Sequence, residues 1–321
     1  MNRLKIFAGG ANSSLAESIC RNLSQKPGEI YLHQFPSGEH YCRYMDNIRG
    51  GDVFLIQPLS TPVNENTMQL LIMADAARRA SAERITAVIP YLGYSRQERK
   101  DKSRAPISAK LVLDLISAAG INRVIAMDLH APQIQGFTNL PFDHLYFAPK
   151  LIERLTLGCS LESLNDYVVV APDVGAVKRA ESYSEALGCD LAIITKKRKG
   201  DTKVEHTSFV GDVSGKRVLM VDDLTESCGT LIGAAKLCKE KGASHVTCAV
   251  THACLTQTGV DRLADAIQQK VIDKFFHSDT VSYYWHLKFK PPEVEQISVS
   301  GVFSRAIRCI HENESISELF E

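Results

Sequence analysis

No C-x-x-C pair occurs among the nine cysteines of this chain, and their number is odd. That pattern argues against a zinc or disulfide framework and fits buried thiols in a reducing cytosol. An excess of one charge is also missing, since Lys and Arg together number 37, as do Asp and Glu. A broad basic field for nucleic acid or for an acidic membrane is therefore excluded. No apolar run approaches the length that spans a bilayer. The opening MNRLKIFAGG has neither a long apolar core nor a cleavage signature, so no secretory signal is expected. What is present is an ordinary globular composition, 45% hydrophobic and 23% charged, with length enough at 321 residues for two domains. A cytoplasmic protein with no nucleic-acid or membrane partner is the expectation.

Short β-branched runs alternate with helical patterns. Strands are expected at residues 4–9, 29–35, 53–59, 85–92, 123–130, 167–173, 190–196, 217–223 and 245–252. Helices are expected at 64–80, 107–120, 177–188 and 230–243, several of them ending in Gly. Continuous apolar strands separated by helices predict parallel sheets covered on both faces. The order strand, polar turn, helix, strand occurs twice, at residues 50–92 and 215–252. This echo predicts two similar α/β domains with a boundary near Pro149. Only the second copy carries an acidic pair in its turn, so the ligand loop is assigned there.

That turn reads LMVDDLTESCGTL, residues 219–231. Asp222 and Asp223 are adjacent like charges at the end of an apolar run, and their repulsion calls for a compensating partner. Glu226 follows, and then Ser227, Cys228, Gly229 and Thr230 lead into a helix. A loop feeding a helix N-terminus offers free N–H groups and a positive dipole end to a phosphate. The two hydroxyls add donors, and ligands gather at the carboxyl ends of parallel strands. Carboxylates repel phosphate, so Asp222 and Asp223 suit ribose hydroxyls or hydrated magnesium. The plainer reading is an N-cap, which needs one side chain and not three acids. In MDLH, Asp128 and His130 stand two apart at a strand end, share a face, and can hold a metal or its waters. A buried, satisfied histidine is the other reading of His130. The runs at 95–104 and 194–208 are dense in charge. Each is either a solvated loop or, lying just past a strand, a phosphate-facing one.

VDDLTESCGT is similar to the phosphoribosyl-pyrophosphate loop of phosphoribosyltransferases and phosphoribosyl pyrophosphate synthetases. FPSGEHYCRY (35–44), PYLGYSRQERKDKSRAPISAKL (90–111), MDLHAPQIQGF (127–137) and APDVGAVKRA (171–180) decide between them. All resemble class I phosphoribosyl pyrophosphate synthetases (ribose-phosphate pyrophosphokinases), and the likeness runs from about residue 4 to SISELF. It implies an enzyme that moves the β,γ-pyrophosphoryl group of ATP to the C1 hydroxyl of ribose 5-phosphate, with Mg2+. It implies two phosphoribosyltransferase-like α/β domains, 1–148 for ATP and 149–300 for ribose 5-phosphate, with the site between them. A helix at 301–314 packs back on the first domain, and dimers assemble into a homo-hexamer. The implied catalytic pair is Lys196 and Arg198, with Lys197 and Lys199 facing solvent. Phe35, Ser37, Gly38, Glu39, Arg96 and Gln97 are implied for ATP. Arg198, Asp222, Asp223, Glu226, Ser227, Cys228, Gly229 and Thr230 are implied for ribose 5-phosphate. Asp128, His130 and Asp173 are implied for metal, Asp173 also reaching ribose. Arg49, Ser298 and Ser300 are implied for a regulatory site taking inorganic phosphate and ADP, although the two serines serve equally as a helix cap.

The likeness has departures. Glu226-Ser227 stand where Asp-Thr is usual, and Ser37 where Asp or Asn is usual. Ala176 replaces the second glycine of a pair, which matters if that position needs a positive φ. A non-catalytic, synthetase-associated regulatory subunit is the rival reading, and loss of the basic pair or of Asp128 and His130 would favour it. A phosphoribosyltransferase would leave the ATP segments unexplained.

Overall fold

The computed structural model describes residues 3–157, 166–199, 203–282 and 291–317, and excludes the side chains of 196–199 and 203–207. Two units divide the chain. The first runs to Tyr146 and takes in Asp279–Ser282 and the chain from Ser298 onward; the second holds Phe147–Ser278 and the stretch ending at Ile297.

The first unit begins with β1 (Leu4–Ala8), α1 (Ser13–Asn22), β2 (Ile30–Gln34) and β3 (His40–Tyr44). It continues through β4 (Asp52–Ile56), α2 (Val63–Arg79), β5 (Arg84–Ile89), α3 (Ser108–Ala118), β6 (Arg123–Met127) and β7 (Phe142–Leu145). The sheet order is β1-β4-β5-β6-β7, every pair parallel. All five residues of β4 are buried, as strands covered on both faces require. Phe7, Leu55, Leu70, Met73, Leu113 and Val124 belong to the core that these layers close. β2 and β3 stand apart as an antiparallel hairpin, half-buried on alternate residues.

The second unit contains α4 (Ala148–Thr156), β8 (Tyr167–Ala171), α5 (Val177–Leu187), β9 (Asp190–Lys199), β10 (Lys203–Val210) and β11 (Arg217–Thr225). Then come α6 (Gly229–Glu240), β12 (His245–Ala253), α7 (Gln257–Gln268), β13 (Lys274–Ser278) and β14 (Val294–Ile297). Its sheet runs β10-β9-β8-β11-β12-β13-β14, with only β10 antiparallel. The chain steps outward from β8 to β9 and then returns to β11 on the other side of β8. That reversal is a topological switch point, where a crevice opens beyond the strand ends. The first sheet progresses in one direction and has none.

One expectation is corrected here. The loop read at 194–208 is largely two strands, β9 and β10, with Lys196 opposite Thr207 and Arg198 opposite Val204. KVEHTSFV has one apolar residue among its first six, a composition that an edge strand tolerates and that lacks the continuous apolar signal of a central one.

The last helix, α8 (Ser300–Glu312), returns to the first unit and lies against α1. Asp52, 1% exposed, accepts from Arg84 Nε at 2.8 Å and Nη2 at 2.5 Å, and lies 2.7 Å from His311 Nδ1. Arg84 Nη2 also donates to the Ile310 carbonyl at 2.8 Å, so β4, β5 and α8 share one buried ionic junction.

Candidate active site

Asp222 and Asp223 lie on β11 past its pairing with β8, beside the switch point. Their side chains are 17% and 6% exposed, so their mutual repulsion is poorly screened. Arg179 of α5 answers it, with Nη1 3.4 Å from Oδ1 of each. Burial first, and then the Asp223 charge, push the Asp222 carboxyl up to about 8, while Arg179 pulls it down. Arg179 is the compensating cation that the adjacent acids called for. Its sequence, GAVKRA, names no partner, because the pairing depends on α5 folding back across the strand ends.

Asp173 follows β8. Its Oδ1 accepts the Ala176 N–H at 3.2 Å and caps a short 3-10 turn, Val174–Ala176. Ala176 has φ −86°, an ordinary helical value, so alanine in place of glycine adds no backbone strain there.

The loop ahead of α6 is held from behind. The Glu226 carbonyl accepts from the Thr256 N–H at 3.1 Å and its hydroxyl at 3.3 Å. A Cβ on Gly259 would lie 2.0 Å from that same carbonyl oxygen, so the first turn of α7 presses directly on the loop. Arg262 Nη1 lies 3.5 Å from the Ser227 carbonyl. Cys228 is the residue before α6, at φ +56°, and makes no side-chain cap to the helix. Its side chain is buried at 1% exposure, and burial pushes the thiol up to about 11. Cys228 thus could offer a ligand only its backbone, next to Gly229, Thr230 and the N-terminal N–H groups of α6.

The matching position of the first unit is closed. Gln57 stands where the second copy has Asp222, and it is fully buried. Its Oε1 accepts from the Ala11 N–H at 3.2 Å, and its Nε2 donates to Gln69 Oε1 at 2.9 Å and to the Asn66 carbonyl at 3.3 Å.

The other implied residues of the first unit fall in separate segments. Phe35, Ser37, Gly38 and Glu39 form the tip of the β2–β3 hairpin, where Gly38 has φ +92° and donates to the Phe35 carbonyl at 2.8 Å. Phe35 is 45% exposed, and Ser37 Oγ donates to Glu39 Oε2 at 2.8 Å. Arg96 and Gln97 are exposed in the turn after β5, closed by Gln97 N–H to the Tyr94 carbonyl at 3.1 Å. Asp128 and His130 are not on a strand: β6 stops at Met127, and Asp128 takes φ +38°. The strand-period reason for a shared face therefore does not apply. His130 is exposed, which removes the reading as a buried core histidine. Among the described residues no three or more His, Cys, Asp or Glu gather as a ready metal cage. That donor set fits magnesium, which keeps several waters and takes one or two carboxylates alongside substrate phosphates.

Arg49 is exposed, with Nη1 3.2 Å from Ser81 Oγ. Ser298 Oγ accepts the Ser300 N–H at 3.3 Å at the start of α8, and Asn22 Nδ2 donates to Ser300 Oγ at 3.2 Å. Both serines thus take part in capping and docking α8. The side chains of Lys196 and Arg198 lie outside the described residues.

A family model described as the N-terminal domain of ribose phosphate pyrophosphokinase matches residues 4–120, and one described as the phosphoribosyl synthetase-associated domain matches 205–321. A ribose-phosphate pyrophosphokinase of Rhodopirellula baltica is 46% identical over 325 residues, covering 100% of this chain and 99% of its own. Ribose-phosphate pyrophosphokinase A of Dictyostelium discoideum is 45% identical over 322 residues, covering 99% and 98%. The crystal structure of phosphoribosylpyrophosphate synthetase from Mycobacterium smegmatis matches with a TM-score of 0.89 at 35% identity, over 97% of this chain and 100% of that one. With both sheets, the acidic strand end and nearly every residue of the chain covered by these likenesses, the chain belongs to the ribose-phosphate pyrophosphokinase family.

Proposed function

We propose that this chain transfers the β,γ-pyrophosphoryl group of ATP to the C1 hydroxyl of ribose 5-phosphate, giving phosphoribosyl pyrophosphate and AMP for nucleotide biosynthesis. The observation that carries this reading is the arrangement at the second sheet's switch point. An acidic pair with its own arginine adjoins a helix N-terminus whose loop is braced from behind. Such a site separates two chemistries, hydroxyl recognition by carboxylates and phosphate recognition by backbone N–H groups. In this reading Glu226, Ser227, Cys228, Gly229 and Thr230 enclose the 5-phosphate, and Asp222 and Asp223 hold ribose hydroxyls. Phe35 meets the adenine, Ser37, Gly38 and Glu39 its polar edge, and Arg96 and Gln97 the nucleotide.

Asp128 and His130, and separately Asp173, would serve as Mg2+ ligands. When bound, that ion neutralises charge on the phosphate oxygens. Pyrophosphoryl transfer leaves the protein mainly positioning and electrostatic stabilisation to provide. Lys196 and Arg198 supply cations to the phosphates as charge shifts between attacking and leaving oxygens. Arg49, Ser298 and Ser300 form a site for inorganic phosphate and ADP. The protein works in the cytoplasm as a homo-hexamer built from dimers.

The test is incubation with ATP, ribose 5-phosphate and magnesium, with and without inorganic phosphate. AMP formed only with ribose 5-phosphate, and lost in Lys196→Ala, is the expected result. ADP in place of AMP would mean simple phosphoryl transfer. Binding of both substrates with no turnover would indicate a non-catalytic regulatory subunit.

A further inference from the structure

Asp128 is a non-glycine residue with positive φ, a disfavoured conformation that its surroundings hold in place. Those surroundings are supplied by β7. Past the last ladder pair, Met127 with Leu145, the Asp128 N–H donates to the Leu145 carbonyl at 2.9 Å. The next amide has no carbonyl within that pattern. Instead, the Leu129 N–H donates to Nε2 of His144 at 2.9 Å. An accepting Nε2 requires a neutral ring with its proton on Nδ1, which faces the Gln135 side-chain amide at 3.5 Å and calls for that amide's oxygen on this side. Two successive amides of the turn are therefore bound by two successive residues of β7, one through backbone and one through a side chain.

His144 is 4% exposed and Leu129 2% exposed, so their bond is shielded from water. The Leu129 side chain is part of the first unit's core. Leu129 is thus anchored at its side chain and at its amide, and the residues on either side of it are Asp128 and His130. The His144 ring lies 4.5 Å from that of Tyr146, at 42°. Burial first, and then the Asp128 charge, raise the Tyr146 hydroxyl, consistent with the carboxylate lying on this side of the turn.

We propose that His144 is a positioning residue: its Nε2 fixes the Leu129 amide and so aims Asp128 and His130 at the magnesium–nucleotide phosphates. This rests on the proposed function for the identity of what is aimed at. Groups that orient metal-ligating side chains are worth about 10- to 100-fold in metal affinity or activity when removed.

Two substitutions separate the bond from the bulk. His144→Phe keeps a planar ring against Tyr146 and removes the acceptor. His144→Gln places an amide oxygen at similar reach and restores it. The expected result for His144→Phe is Leu129 amide exchange faster by about tenfold or more, with Mg·ATP binding by calorimetry weakened by about 10- to 100-fold. The KM for ribose 5-phosphate should stay within about twofold, because that loop belongs to the other unit, and His144→Gln should recover most of both losses. Unchanged Leu129 exchange in a folded His144→Phe would overturn the proposal, as would faster exchange with unchanged Mg·ATP binding. If His144→Phe does not fold, the wild-type imidazole 15N shifts decide, since a proton found on Nε2 is incompatible with the bond. Wild-type protein that neither binds Mg·ATP nor forms AMP would overturn the reaction itself and this role with it. Normal wild-type turnover with an unaffected His144→Phe overturns the positioning role alone.

Discussion

At the scale of single residues, Asp222 sets function against stability. Its carboxyl ordinarily titrates at 3.8 and is pushed up to about 8 by burial and by Asp223. The folded chain therefore keeps a proton that the unfolded chain has released. Stability associated with this group is intact below 3.8 and declines as pH rises toward 8. Asp222→Asn removes the titration and leaves a neutral side chain of the same shape. The unliganded variant should melt higher than wild type by about 4 °C or more at pH 8, with the gain shrinking toward pH 5. Above pH 8, where the wild-type carboxyl is ionised, its KM for ribose 5-phosphate should rise by about tenfold or more, because one acceptor oxygen is replaced by an NH2. Scanning calorimetry across pH, together with initial rates, checks both halves. Equal gains at both pH values would show that the carboxyl is not held protonated.

At the scale of elements, the loop before α6 depends on α7. Gly259→Ala puts a Cβ 2.0 Å from the Glu226 carbonyl oxygen, and one of the two backbones must move. Crowding of this kind costs about 1–3 kcal/mol. If the loop yields, the KM for ribose 5-phosphate should rise by about tenfold while that for ATP stays unchanged. An equal rise in both constants would mean a general loss of fold. Nothing in LTQTGVDRL announces this brace, since a glycine inside a helical pattern reads as a weakness until its neighbour is known. The central strands were legible because β4 and β8 are apolar almost throughout and β11 and β12 carry unbroken apolar runs, Val218–Val221 and Cys248–Val250. β3, β7, β10, β13 and β14 were not: four are hairpin or edge strands that need no continuous apolar run, and β13, although interior, is only five residues long with polar ends. The acidic pair and its loop stood out as charge and small residues beside apolar ones. Arg179 and His144 did not, because each acts through a neighbour 43 or 15 positions away.

At the scale of the whole molecule, the first unit is completed by the last helix of the chain. Asp52→Ala leaves Arg84 and His311 without the carboxylate that gathers them, a loss of about 1–3 kcal/mol for partly buried donors deprived of their acceptor. Amide exchange should then quicken in α8, β1 and β4 and remain slow in β11 and β12 of the second unit. Uniform protection throughout would show that α8 is held by its apolar face alone. The Gln57 network bears on rebuilding this protein. The two copies of the strand–turn–helix unit differ at that position by an amide and an acid, which invites an attempt to graft a second sugar-phosphate pocket onto the first. Gln57→Asp alone would not create one. The turn there is already packed around Gly9, where a Cβ would come 2.1 Å from the glutamine, and its donors and acceptors are committed to Ala11, Asn66 and Gln69. A designer would have to rework the whole turn, so the first copy is better used as an internal control, alike in architecture and unresponsive to the sugar.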